Sequence, residues 1–217
     1  MPRAGRDQMI NVLLEEHGRT YAEQLGIDLE DGTPSPLFRW LCAALLMSAR
    51  IRAEAAVDAA RALADQGWTT AAKMAAASWE ERTRTLNRAG YARYDESTSR
   101  MLGATAEMLQ GKYQGDLRKL RDAAGRDPAR ERVLLKECKG IGEVGVDIFM
   151  REAQIVWPEL YPFADRKALE AAASLGLDDD PRALADRVPR KDFPRLLTAL
   201  VRVSLAGEIE QLREAAR

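Results

Sequence analysis

The sequence predicts an all-α protein, and its periodicity, composition and lack of strand signals all favour this fold class. Apolar residues recur at helical spacing between turn formers. Alanine and leucine are prominent among the 46% of apolar residues, and charged residues make up 31%, as in helical globular proteins. The most strand-like run, Ile155-Val156-Trp157, is cut short by Pro158. The 217 residues suffice for one domain or two small ones with a substantial core.

The first third of the chain contains three predicted helices. Apolar spacing predicts one amphipathic helix over Asp7–Gln24. Gly26–Pro36 is rich in turn formers and is predicted to be a linker. Two strongly helical stretches follow, at Leu37–Ser48 and Ala53–Asp65, and Trp40 within the first is expected in the core.

Helix-start and helix-stop signals divide the rest of the chain. Thr70 and Ser78 resemble N-caps, and Gly90 interrupts the chain before the next helix. The later predicted helices cover Asp95–Leu109, Leu117–Ala123 and Pro128 to about Glu137, with two more separated by Asp180-Pro181 and Arg190–Pro194.

Composition excludes several classes of protein. No apolar run reaches the roughly 18 residues that span a bilayer, and the N-terminus lacks the apolar region of a signal peptide, so no membrane partner is expected. Cys42, Cys138 and His17 cannot by themselves supply a four-ligand zinc site or a four-cysteine cluster. The low cysteine content predicts a reducing compartment, and therefore a cytoplasmic protein. A net charge of −1 disfavours nucleic-acid binding unless the cations gather on one face.

The most informative segment runs from Leu134 to Met150, where two apolar helical stretches flank Gly140-Ile141-Gly142. Two glycines around one aliphatic residue predict a tight reversal between helices, because glycine tolerates positive φ and close backbone approach. Such a reversal leaves backbone N–H groups at the start of the second helix, which attracts anions such as DNA phosphate. A simple interhelical turn is the alternative interpretation.

The segment resembles the helix-hairpin-helix motif of the endonuclease III-like (HhH-GPD) base-excision DNA glycosylase superfamily. The family's Leu-Pro-Gly-Val/Ile-Gly reads Cys138-Lys139-Gly140-Ile141-Gly142 here, and Asp165, 25 positions after Gly140, matches the catalytic aspartate. Pro36–Arg50 and Asn87–Tyr94 are similar to upstream elements, so the resemblance extends from about Pro36 to Leu175.

The resemblance implies two helical subdomains, 36–153 with the hairpin at 134–150, and 1–35 together with 154–217, separated by a cleft. It further implies a monomeric enzyme that flips a damaged or mispaired base out of double-stranded DNA and hydrolyses its glycosidic bond, with Asp165 stabilising charge on the sugar. Asp165 also reads as a helix N-cap. Val144 occupies the position of the lysine that forms a Schiff base in bifunctional relatives, which implies a monofunctional glycosylase without lyase activity.

The implied DNA contacts cover the hairpin and three arginines outside it. They are Lys136, Lys139, Gly140, Ile141, Gly142, Gly145, Arg50, Arg93 and Arg166. The backbone carbonyls of Lys136, Cys138 and Ile141 match positions that hold a monovalent cation, so Na⁺ or K⁺ is the only metal expected, and no other cofactor is expected.

Four residue patterns depart from the family. The four-cysteine iron–sulfur motif is absent, Lys139 replaces the hairpin proline, Glu143 puts an acid at the phosphate-binding helix start, and Arg50 replaces a glutamine that fills the DNA gap. Two alternatives therefore stay open: a catalytically inactive helix-hairpin-helix DNA-binding protein, and a helical scaffold in which Gly140-Ile141-Gly142 is merely a turn.

Overall fold

The computed structural model describes the backbone of residues 3–215 and the side chains of residues 5–215, and this part of the chain is helical without a strand. The helices up to the middle of the chain are α1 (Arg3–Val12), α2 (Tyr21–Gln24), α3 (Pro34–Met47), α4 (Ala53–Asp65), α5 (Ala71–Ala76), α6 (Trp79–Arg88) and α7 (Asp95–Tyr113). The later helices are α8 (Leu117–Ala123), α9 (Pro128–Leu135), α10 (Glu143–Ala153), α11 (Arg166–Ser174), α12 (Pro181–Ala185), α13 (Phe193–Ala206) and α14 (Ile209–Ala215). The all-α prediction is confirmed.

The chain divides into two compact units. One is continuous, Leu25–Phe149, and the other joins the segment up to Gln24 to the segment from Met150 onward. We call them the inserted unit and the terminal unit. The subdomain ranges expected from the sequence stay a prediction, and residues 1, 2, 216 and 217 of the second range lie outside the described residues. None of the helices over residues 3–215 combines the length and apolar character that crossing a bilayer requires.

Local sequence signals explain most helix boundaries. Ser78 begins α6 with a reciprocal capping box, in which the Ser78 side chain accepts from Glu81 N and the Glu81 carboxylate accepts from Ser78 N. Thr70 caps α5, and Asp127 caps α9 with Pro128 in its first turn, as the sequence predicts.

The single helix predicted over Asp7–Gln24 is wrong. The chain passes from α1 into a π-helical turn at Leu13–His17, leaves the helix at Gly18 and restarts at Tyr21. A Cβ on Gly18 would lie 2.3 Å from the carbonyl oxygen of Leu14, so glycine is required there. The restart is a second capping box: Glu23 N donates to Thr20 Oγ1 at 3.1 Å, and Thr20 N donates to Glu23 Oε2 at 2.8 Å.

The inserted unit is organised around α3 and α7. Trp40 on α3 is fully buried, as predicted, and its Nε1 donates to the carbonyl oxygen of Phe149 at 3.0 Å. Arg82 is buried, and its guanidinium donates to backbone carbonyl groups. Nε donates to Ser99 O at 3.1 Å, and Nη1 donates to Met74 O at 2.9 Å. This guanidinium therefore joins α5, α6 and α7 through main-chain carbonyls.

The terminal unit buries an apolar cluster formed by α1, the turn after it, α11 and α13. Met9, Ile10 and Leu13 lie in the same cluster as Phe193 and Leu197. Glu152, fully buried on α10, accepts hydrogen bonds from Tyr21 N and Ala22 N at 2.9 Å each and from Thr198 Oγ1 at 3.1 Å. Its burial raises the pKa of the Glu152 carboxyl. This side chain satisfies the first N–H groups of α2.

Candidate functional site

The predicted hairpin is present between α9 and α10. The helix ends at Leu135, and the chain reverses through a segment in which Cys138 and Ile141 are buried. Ile141 N donates to Cys138 O at 3.0 Å, which closes the turn. Gly140 has φ +89°, a conformation that favours glycine.

Residues of α7 hold the hairpin in place. Thr105 Oγ1 donates to the Lys139 carbonyl oxygen at 2.9 Å. A Cβ on Gly140 would lie 2.7 Å from Met101 Sδ, so the hairpin backbone lies directly against that side chain. Gly140 therefore serves both the turn and its packing on α7.

Gly142 leaves the start of α10 open. It is exposed, and a Cβ built on it would meet no atom within 4 Å. It directly precedes Glu143, the first residue of α10, and has no side chain that could cap the free N–H groups of that helix's first turn. These N–H groups and the helix dipole together favour an anion at this point.

Two contacts relate loops of the inserted unit to the end of α3 and to the start of α10. A Cβ on Gly145 would lie 3.7 Å from Ser48 Cβ, so the first turn of α10 lies against the end of α3. Tyr91 Oη donates to Leu46 O at 2.9 Å, which fixes the loop before α7 to the same helix end. The loop that follows α3 and the loop that precedes α7 are thereby brought to the side of the unit where α10 begins.

These loops carry exposed cations. Arg50 and Arg52 follow α3, Arg93 precedes α7, and Lys139 lies on the hairpin. Arg93 Cζ lies 5.3 Å from the centroid of the Tyr94 ring. Among the described residues, none of these four cations forms an ion pair, and we refer to Arg50, Arg52, Arg93, Lys139 and Gly142 as the hairpin surface.

Lys136, in contrast, is already engaged. Lys136 Nζ forms an ion pair with Glu143 Oε1, and Arg132 Nη1 lies 2.9 Å from Glu143 Oε2. Arg132 Nη2 also lies 2.7 Å from Asp147 Oδ1. The hydrogen bonds from Lys136 and Arg132 hold the pKa of the Glu143 carboxyl below its ordinary value.

Asp165 lies in the terminal unit and caps α11. Its Oδ1 accepts from Lys167 N at 3.1 Å and from Ala168 N at 3.3 Å. Its Oδ2 accepts from Arg151 Nε at 2.6 Å, and the side chains of Asp165 and Arg151 are only 3% and 5% exposed. The aspartate is therefore a buried helix cap and ion-pair partner, and its catalytic role stays a prediction.

The loop before Asp165 is fixed by one glutamine. Gln154 Nε2 donates to Phe163 O at 3.0 Å, and Phe163 N donates to Gln154 Oε1 at 3.2 Å. Arg166, a predicted DNA contact in the same unit, is exposed and pairs with Glu170 at 2.6 Å. Its proposed contact with DNA stays a prediction.

The remaining predicted positions are defined by their exposure. Val144 is 59% exposed on the first turn of α10, and the absence of a lyase step inferred from it stays a prediction. Cys138 is buried, and burial raises the pKa of its thiol to about 12, so it is not a reactive thiol.

The described residues contain no cluster of histidine, cysteine, aspartate or glutamate suited to a metal. The monovalent-cation site on the backbone carbonyls stays a prediction.

Sequence reasoning missed the partners of the site residues. Arg132 carries no motif signal, and its link to Glu143 appears only once α9 and α10 are folded back on one another. Arg151 is separated from Asp165 by 14 positions and lies within an ordinary helical pattern.

Comparison with known proteins finds similarity among solved structures but not among sequences. No family model matches the sequence, and no curated protein matches it. The chain is similar to endonuclease III in a trapped covalent intermediate with DNA (an estranged-adenine complex), with a TM-score of 0.49 and 17% identity. The alignment covers 91% of this chain and 85% of that chain.

Proposed function

We propose that this chain is a helix-hairpin-helix protein that binds duplex DNA through the hairpin surface. The observation that carries the proposal is that four exposed cations, none of which forms an ion pair with another described residue, lie on the hairpin and on the two loops fixed to the end of α3, against which α10 begins. This grouping offsets the objection raised by the net charge of −1, because binding depends on local positive charge.

The chemistry of the surface suits a phosphate backbone. The free N–H groups of α10 supply directed donors for phosphate oxygens, and the absence of a side chain at Gly142 permits close approach. Arg50, Arg52 and Arg93 add exposed positive charge on the loops after α3 and before α7. Contacts of this kind position a duplex without reading its sequence.

Salt-dependent binding tests the proposal. The binding constant for a short duplex is measured over a salt series for wild type and for an Arg50→Gln/Arg93→Gln/Lys139→Gln variant. Each lost phosphate contact lowers the log–log salt slope by about 0.9, so the slope falls by up to about three. An Arg61→Gln/Lys73→Gln/Arg126→Gln variant removes the same charge from α4, α5 and the loop before α9. Equal losses in the two triple variants contradict the proposal.

Base excision is the second candidate function. It is favoured by the rigid placement of Asp165 at the start of α11, in the position that the family resemblance assigns to the catalytic aspartate. Hydrolysis requires a carboxylate beside the sugar, and Asp165 already uses both oxygens on Arg151 Nε and two backbone N–H groups. The described geometry therefore favours binding without turnover over a monofunctional glycosylase.

Free-base release separates the two candidates. A panel of lesion-containing duplexes is incubated with wild type and with Asp165→Asn, and DNA binding is measured in parallel. Release by wild type that is lost in Asp165→Asn, with binding retained, supports the glycosylase. Binding without release across the panel supports the inactive protein. Borohydride should trap no adduct, because Val144 provides no amine.

A further inference from the structure

We infer that Glu143 is a built-in counter-anion, which competes with DNA phosphate for Lys136 and for the N-terminus of α10. The inference rests on the proposed function and adds a regulator to the same surface. Glu143 is the first residue of α10, where the helix dipole stabilises a negative charge. The same carboxylate contacts Lys136 and Arg132, so it offsets positive charge beside the start of α10.

Exposure makes the competition possible. The Glu143 side chain is 62% exposed and that of Lys136 is 36% exposed, so both can be reached from solvent. A phosphate that approaches the free N–H groups beyond Gly142 meets Glu143 as the neighbouring residue. Binding there requires the carboxylate to move aside or its repulsion to be tolerated.

The two cations held by Glu143 are not equivalent. Arg132 also pairs with Asp147 at 2.7 Å, and its side chain is 27% exposed. Lys136 has Glu143 as its carboxylate partner among the described residues. Removing the charge of Glu143 therefore frees Lys136, while Arg132 keeps a second partner.

A counter-anion role for Glu143 can be distinguished from that of an ordinary surface salt bridge by measuring stability and DNA affinity. A purely stabilising pair predicts that Glu143→Gln lowers stability and leaves DNA affinity unchanged. A counter-anion predicts that Glu143→Gln raises DNA affinity, because Lys136 and the start of α10 become available to phosphate. The gain expected from releasing an exposed pair is about two- to fivefold.

The experiment compares duplex binding over a salt series by wild type, Glu143→Gln and Glu137→Gln, with thermal unfolding used to confirm folding. Glu137→Gln is a matched control, because it removes the same charge from the same hairpin but frees Lys112, 2.7 Å from Glu137 near the end of α7. We expect the affinity gain and a salt slope steeper by about 0.9 in Glu143→Gln alone. In Glu143→Gln/Lys136→Gln, the steeper slope should disappear.

The outcomes separate this inference from the proposed function. Salt-dependent binding by wild type with no gain in Glu143→Gln overturns the inference and leaves the proposed function standing. An equal gain in Glu137→Gln overturns it as well, because the effect is then one of net charge. A slope that stays steep in the double variant overturns the role of Lys136. No binding by any variant overturns both.

Discussion

Arg151 and Asp165 form a buried ion pair in which Arg151 Nε lies 2.6 Å from Asp165 Oδ2. The other carboxylate oxygen accepts two backbone N–H groups at the start of α11. An aspartate held in this way anchors a helix end, whereas a catalytic carboxylate needs an oxygen that can face the reacting sugar. The ion pair therefore affects two properties: it anchors the start of α11, and it occupies a carboxylate oxygen that catalysis would require.

Asp165→Asn is expected to destabilise the protein by about 3–5 kcal/mol, because it leaves a buried guanidinium without its carboxylate. Asp180→Asn is the matched control. Asp180 Oδ1 also accepts two backbone N–H groups, from Arg182 at 3.0 Å and Ala183 at 2.9 Å, but Asp180 is exposed. Asparagine caps helices well, so this control should change stability little. Urea unfolding measures both, and equally small losses would show that the ion pair contributes little.

Gly142→Ser is expected to weaken DNA binding severalfold without loss of stability. The serine hydroxyl can accept from the first-turn N–H groups of α10, which stabilises the helix and removes donors from phosphate. The exposed Gly111 on α7 also has no atom within 4 Å of a built Cβ, so Gly111→Ser is the control. Fluorescence anisotropy with a labelled duplex and thermal unfolding provide the two readouts. Unchanged binding in Gly142→Ser would mean that phosphate does not use this helix start.

Gly103→Ala and Gly111→Ala, both on α7, are expected to have opposite effects. A Cβ on Gly103 would lie 2.5 Å from Arg82 Nη2, so the buried guanidinium would be displaced from its carbonyl acceptors. We expect a loss of about 1–3 kcal/mol. Gly111→Ala meets no neighbour and should stabilise the helix by up to about 1 kcal/mol. Denaturant unfolding measures the free energy of unfolding of both variants. An unchanged value for Gly103→Ala would show that the Arg82 guanidinium can shift to accommodate the added methyl group.

The buried phenol of Tyr91 is expected to make the folded protein less stable at alkaline pH. Burial raises the pKa of its phenol to about 12, above the value of about 10 expected in the unfolded chain. The stabilisation is therefore complete below pH 10 and is lost as the pH rises toward 12. Tyr91→Phe removes this titration at the cost of the hydrogen bond to Leu46 O. The stability advantage of wild type over Tyr91→Phe should shrink above pH 10, and a constant difference would contradict the assignment.

The sequence predicted those features that depend on neighbouring residues in the chain. The Ser78 cap, the proline at the start of α9 and the glycine reversal at Gly140 are local signals, and each is confirmed. The break at Gly18 was missed because apolar spacing continues across it, although Thr20 and Glu23 carry a capping-box pattern that would have revealed the restart.

The candidate site was predictable in part for the same reason. Its glycines and the cap at Asp165 follow from motif and spacing. The partners of Asp165 and Glu143 depend on helices that approach one another in three dimensions, so neither Arg151 nor Arg132 could be assigned from periodicity. The roles of Asp165 and Glu143 depend on their ion-pair partners, and residue spacing in the sequence does not identify those partners.

The discontinuous core of the terminal unit has a consequence for biosynthesis. Met9, Ile10 and Leu13 emerge from the ribosome well before their apolar neighbours Phe193 and Leu197, because the whole inserted unit is translated between them. The apolar face of α1 therefore stays uncovered while the inserted unit is being translated. A premature stop before α13 would leave that face permanently bare and expose the truncated product to aggregation and proteolysis.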